Sequence, residues 1–181
     1  MKYDRKRAVL FSLLKSLQVL FFGVFVLLFY LPVRNFLGAF ANIMFGFSGL
    51  MCVVCIMADF AYKEGSTAGS KAKLHEDPVK ETYGFYLGAV SSVIPVASAL
   101  LLLISKLGLI GNFLPAYKIL NAGAFPIMDL FAHDIYVKNM PWGMFILSAV
   151  LIVSHIVSTG VGFRLGYNKV DVKDKVVYKQ K

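Results

Sequence analysis

Four apolar runs, each of about 20 residues or more, constrain this chain more than any other feature of its sequence. A hydrocarbon slab of roughly 30 Å needs about 20 consecutive apolar residues in a helix that rises about 1.5 Å per residue. Within that slab every backbone N–H and C=O must be satisfied by the chain itself, which selects helices over open sheets. The composition agrees, with 58% hydrophobic and 16% charged side chains and a mean hydropathy of +0.70 over 181 residues. Soluble domains run at roughly 45 to 50% apolar and about 25% charged. A soluble domain is excluded, and the expected fold is an all-α polytopic membrane protein, one membrane domain over 1–181.

The first run, 8–33, is interrupted only near its start by Lys15, Gln18 and two serines. It exceeds the roughly 7 to 15 apolar residues of a cleaved signal peptide, so it reads as a retained anchor. Pro32 disfavours further helix, and Arg34 and Asn35 supply the expected polar turn into a second run, 36–62. Residues 63–82 hold four glycine, serine and threonine positions between Gly65 and Gly69 and eight charges, the pattern of a solvated loop. The third run, 83–104, has Pro95 in its middle, where a kink is expected. Residues 105–140 are semi-polar, with Pro115 and Pro126, yet keep apolar patches at 110–114 and 125–131; they are expected to lie in the interface or re-enter the membrane. The fourth run, 141–163, opens with Pro141 and Trp142, one suited to a helix start and the other to a headgroup boundary. A basic tail, 164–181, follows.

Of the 19 Lys and Arg residues, 15 fall before or at the start of the first run, in the middle loop or in the tail. The positive-inside rule then places both termini in the cytoplasm, and the expected location is the inner cell membrane. Most of the net charge of +9 lies on that one face. Attraction to anionic lipid accounts for much of it, at about 1 kcal/mol per basic residue near the surface. The sharper expectation is a platform for a polyanion such as RNA, bound through phosphate contacts from Lys2, Arg5, Lys6, Arg7, Lys71, Lys73, Lys169, Lys173 and Lys175.

Gly84, Gly88 and Ser92 recur every four residues in the third span, and Gly38, Asn42 and Gly46 do so in the second. Such small-residue lines let a second helix approach closely, within one bundle or across a dimer. Cys52 and Cys55 form a Cys-x-x-Cys pair inside the second span, where buried structural cysteines are expected. His155 lies in the fourth span among Ser154, Ser158 and Thr159, with a neutral imidazole bonded to a neighbouring helix as the expectation. Asp129 and His133 share one helical face, too few ligands for a metal site, and Asp59 can pair with Lys63 four residues on. The acidic stretch ending at Glu81 suits the positive start of the third helix. Phosphate loops, zinc-protease and nucleophile-elbow motifs are absent, and neither cofactor nor metal is expected.

A basic four-span chain of this size with both termini cytoplasmic resembles the bacterial membrane protein family that associates with the large OLE RNA. The resemblance covers the whole chain in topology, size and charge, and it implies a non-enzymatic homodimer holding a structured RNA at the inner membrane. The expected function is therefore a membrane scaffold, with lipid, RNA and a second copy or a larger complex as partners. Two other classes compete with it. A small transport or channel subunit would line a polar path with Asn42, His155 and the Pro95 kink. A membrane thiol oxidoreductase would use Cys52 and Cys55, but it lacks the second cysteine pair that such enzymes use as a relay.

Overall fold

Asp4 starts the first helix by accepting a hydrogen bond from the Arg7 amide at 3.0 Å, which satisfies one of the donors that a helix start leaves open. The computed structural model describes residues 3–72 and 79–168, and among these the fold is all-helical with no strand. The helices are α1 (Arg5–Leu37), α2 (Ala39–Ala72), α3 (Tyr83–Ser91), α4 (Val93–Lys106), α5 (Leu114–Leu120), α6 (Phe125–Phe131) and α7 (Gly143–Tyr167). Three of them, α1, α2 and α7, are long and apolar enough to cross a membrane, and α3 with α4 makes a fourth if the bent pair counts as one span. Outward-facing Phe21, Leu28, Phe36, Phe47 and Ile146 leave a broad apolar surface, the expected exterior of a bundle surrounded by lipid.

Two boundaries differ from the sequence reading. α1 runs through Pro32 to Leu37, and the turn into α2 is the single residue Gly38 at φ 54, a backbone region that favours glycine. The polar turn expected at Arg34 and Asn35 is therefore part of the helix; Pro32 loses one hydrogen bond, but its ring does not end α1. The loop expected from residue 63 instead continues α2 to Ala72, because its glycines serve a helix contact. Gly65 and Gly69 of α2 face the carbonyls of Phe163 and Tyr167, while Gly162 and Gly166 of α7 face those of Ala58 and Tyr62. A Cβ at any of the four would fall inside van der Waals contact with backbone, so the two helices meet at glycine-to-carbonyl distance.

The α3–α4 pair bends by 49° at Ser92. Pro95 lies three residues on; it has no N–H for the Ser91 carbonyl, and its ring pushes that carbonyl aside, so the break falls one turn before the proline. The hydroxyls of Ser91 and Ser92 both donate to the Gly88 carbonyl, at 2.9 and 2.7 Å. Gly84 and Gly88 pack directly on α7, against Phe163 and Ile156.

Between α4 and α7, α5 and α6 form a short helical hairpin whose 3-10 turn, Ala122–Ala124, sits between α1 and α2. Gly23 and Gly49 make room for it, since a Cβ on either would strike the Gly123 backbone. Gly23 is roughly 15 residues from the Gly38 turn, so the hairpin tip reaches roughly 22 Å along α1. Tyr3, Glu64, Tyr83 and Asn168 meet at one end of the bundle, hereafter the terminal end; Gly38 marks the other, the turn end.

Candidate functional site

Ionisable side chains are sparse in this apolar bundle, and they converge in two places. At the turn end the centre is Asp129 in α6, only 5% exposed. Arg34 Nη2 lies 2.8 Å from Asp129 Oδ2 and Lys118 Nζ lies 3.4 Å from Oδ1, so α1 and both arms of the hairpin meet on one carboxylate. Lys118 Nζ also donates to the Ala132 carbonyl and stands over the Phe125 ring at 5.5 Å. His133 Nδ1 is 2.8 Å from Arg34 Nη2 and 3.6 Å from Asp129 Oδ2. The fully buried Tyr30 hydroxyl lies 3.0 Å from Asn42 Oδ1 and 3.3 Å from Asp129 Oδ2. A hydroxyl has one proton, so turning the Asn42 amide to donate to Tyr30, with Tyr30 donating to Asp129, satisfies all three groups. Arg34, Asn35, Asn42, Asp129 and His133 line an open cleft of about 480 Å³ beside the Gly38 turn.

The rest of the turn end is held by structural contacts. Lys106 Nζ donates to three carbonyls, Val137 at 3.1 Å and Lys138 and Met140 at 2.7 Å, which matches its three protons. Asn112 bridges to the Ile135 carbonyl and the Val137 amide. Hydrogen bonds from the Asn139 amide and from the backbone N–H of Tyr136 hold the Asp134 carboxyl below the usual carboxylate range.

At the terminal end, Arg5, Lys6 and Arg7 stand exposed on the first turn of α1, and Lys71 lies half-buried in the last turn of α2. Arg5 and Lys6 share an open cleft of about 420 Å³ with Val9, Tyr83 and Tyr86. Tyr83 and Tyr86 stack at 5.4 Å, and Arg7 lies over the Phe11 ring at 5.0 Å. Tyr3 donates to Glu64 Oε2 at 3.0 Å; burial first, and the neighbouring Glu64 carboxylate second, push the Tyr3 phenol well above its ordinary value. Glu81 pairs with Arg164 at 3.4 Å and accepts from Asn168, so its partners are on α7 rather than at the start of α3. Lys2, Lys73, Lys169, Lys173 and Lys175 lie outside the described residues.

The small-residue lines divide on inspection. Gly84 and Gly88 pack on α7, Ser92 is buried at the bend, Gly46 meets Ile127 of α6, and Asn42 bonds Tyr30. Gly38 belongs to no packing line, because it has open space around it and serves the turn. These faces are covered within one chain. Cys52 is half-buried and Cys55 exposed, both free thiols; contrary to the expected burial, they lie off the α2 face that packs on α7 and the hairpin. His155 bonds through Nδ1 to the Leu151 carbonyl of its own helix at 3.0 Å, not to a neighbour, and lines an inner cavity of about 30 Å³ with Ser16, Pro95 and Asn121. That space suits one water. Asp59 and Lys63 pair at 2.7 Å. Among the described residues no group of three or more His, Cys, Asp and Glu side chains is placed to hold a metal.

The sequence alone joined Asp129 to His133 but missed Tyr30, Arg34 and Lys118 as its partners. The signal was the isolation of Lys118 and Asp129 on either side of an apolar Ala-Gly-Ala-Phe-Pro turn, where each charge demands a partner. Compared with protein-family models, curated proteins and solved structures, the chain matches none.

Proposed function

We propose that this chain is a non-enzymatic scaffold of the inner cell membrane whose basic terminal end, facing the cytoplasm, holds a polyanion, with a structured RNA favoured. In this reading α1, α2, the bent α3–α4 pair and α7 are four spans, and the α5–α6 hairpin re-enters the membrane from the turn end. The observation that carries it is the terminal cleft that sets Arg5 and Lys6 beside the stacked Tyr83 and Tyr86. Cations next to the exposed Tyr86 and the half-buried Tyr83 match the two demands of a nucleic acid, charge for phosphates and a flat apolar face for unpaired bases. The surplus of Lys and Arg at this end supports the same reading. A homodimer, implied by the resemblance above, must use faces other than the one at Gly84 and Gly88, which α7 already covers.

The test is RNA binding by the purified chain against a variant with Arg5, Lys6 and Arg7 changed to Gln. Affinity should fall, and the slope of log K against log salt should flatten by about one for each phosphate that no longer meets a cation. Equal affinity and slope in the two proteins would contradict the proposal.

A second reading, a transport or channel subunit, is favoured by one feature, the hairpin whose tip, Ala122–Ala124, lies deep among apolar helices with the buried Lys118 and Asp129 on its arms at the turn end. Among the described residues the space beside His155 has room for one water, which weighs against a path through a single copy. Solute uptake into liposomes that disappears with His155→Ala would support this second reading over the first.

A further inference from the structure

The turn-end cleft has more positive than negative charge available to a ligand. Asp129 supplies one negative charge, and two basic side chains, Arg34 and Lys118, converge on it. Lys118 is buried and has a further acceptor in the Ala132 carbonyl, whereas Arg34 is 30% exposed and lines the cleft. Asp134 does not line it, and its carboxylate oxygens accept from the Ile135 and Tyr136 amides and from Asn139. The side chain of Asn35 adds donors, His133 adds an imidazole ring at the rim, and Gly38 and Ala39 place the positive dipole end of α2 in the wall. The flank is apolar: Leu130 lines the cleft, and Phe36 and Phe40 next to it are 87% and 59% exposed.

From this arrangement we infer that the turn-end cleft binds an anionic phosphate group, presented by a phospholipid headgroup, with Arg34 as its principal contact. Arg34 Nη2 is taken up by Asp129 and His133, which leaves the Nη1 protons of the guanidinium to make charge-assisted bonds to a phosphate oxygen. A phosphodiester in a headgroup with no cation of its own complements the surplus of basic groups over the single Asp129 carboxylate, whereas a zwitterionic headgroup brings an ammonium into a wall that already holds Arg34. The exposed phenylalanines beside the cleft give acyl chains a surface, which a free phosphate does not need. The site lies at the opposite end from the basic terminal face, so its test and that of the RNA proposal succeed or fail separately.

The experiment is native mass spectrometry of the full chain in mild detergent, titrated with phosphatidylglycerol, with phosphatidylcholine of the same acyl chains, and with inorganic phosphate. Phosphatidylglycerol should bind more tightly than phosphatidylcholine by about tenfold or more. Arg34→Gln should lose that preference, while Lys138→Gln, at the same end but off the cleft, should keep it. Displacement of phosphatidylglycerol by millimolar inorganic phosphate would assign the site to a soluble phosphate and overturn the lipid source. Equal binding of the two lipids by the native chain would overturn the site itself, and this comparison holds even if Arg34→Gln fails to fold. Undiminished preference in a folded Arg34→Gln protein would overturn it equally.

Discussion

Arg34 Nη2 and Asp129 Oδ2, 95 positions apart in the chain, meet at 2.8 Å and tie the end of α1 to the second arm of the inserted hairpin. Lys118, from the first arm, reaches the other oxygen of the same carboxylate. One acidic group thus closes the hairpin on itself and fastens it to the bundle, in a place where its own desolvation is costly.

That asymmetry predicts an order of effects. Asp129→Asn strands two cations, while Arg34→Gln leaves the carboxylate with Lys118. Asp129→Asn should therefore cost more stability, up to about 3 to 5 kcal/mol, the range for breaking a buried pair from one side. Thermal unfolding in detergent reads the order directly; an Arg34→Gln protein that melts below Asp129→Asn would contradict it.

The α2–α7 seam predicts sharp glycine sensitivity. Gly166→Leu drives a side chain into the Tyr62 carbonyl and should separate the helices or abolish folding. Gly111→Ala and Gly143→Ala, which meet open space, should change stability by less than about 0.5 kcal/mol. Parallel melting curves of the three variants check this contrast.

How far the fold was legible follows from these same residues. Long apolar runs announced the helices because bilayer thickness sets a length that sequence shows directly. The continuation of α2 was hidden because glycines in a polar context resemble loop residues; the paired Gly65/Gly69 and Gly162/Gly166 spacings were present, but only the facing carbonyls reveal their use. Pro95 announced a bend but not that it falls at Ser92. Tyr83 and Tyr86 could not be read as neighbours of Arg5 and Lys6, since nothing local links positions so far apart. Buried charge carried more information than it was given: Lys118 and Asp129 flank the very turn that inserts.

Tyr3 gives the terminal end a dependence on alkaline pH. Its phenol is held above the ordinary value of about 10 by burial and by Glu64, so the unfolded chain loses its proton first. The stabilisation is fully present below about pH 10 and declines as pH rises beyond that, because deprotonation then favours the unfolded state. Tyr3→Phe removes the titrating group and should flatten the fall in melting temperature above pH 10, at a cost of about 1 kcal/mol at neutral pH for the missing bond to Glu64. An unchanged alkaline slope in this variant would contradict the assignment.

Orientation is open to direct labelling. In a background with Cys52→Ser and Cys55→Ser, a cysteine at Lys6 should be shielded from an impermeant thiol reagent added to intact cells, and one at Lys138 should react. The reverse pattern would place the basic end outside the cell and remove its access to a cytoplasmic RNA.

Whether the basic end holds RNA is decided by purifying the tagged chain in mild detergent at low and moderate salt and sequencing the nucleic acid that stays with it. One or a few enriched RNA species should survive moderate salt and disappear when Arg5, Lys6 and Arg7 are neutralised. Retention of lipid or partner proteins with no enriched RNA would contradict an RNA-holding scaffold.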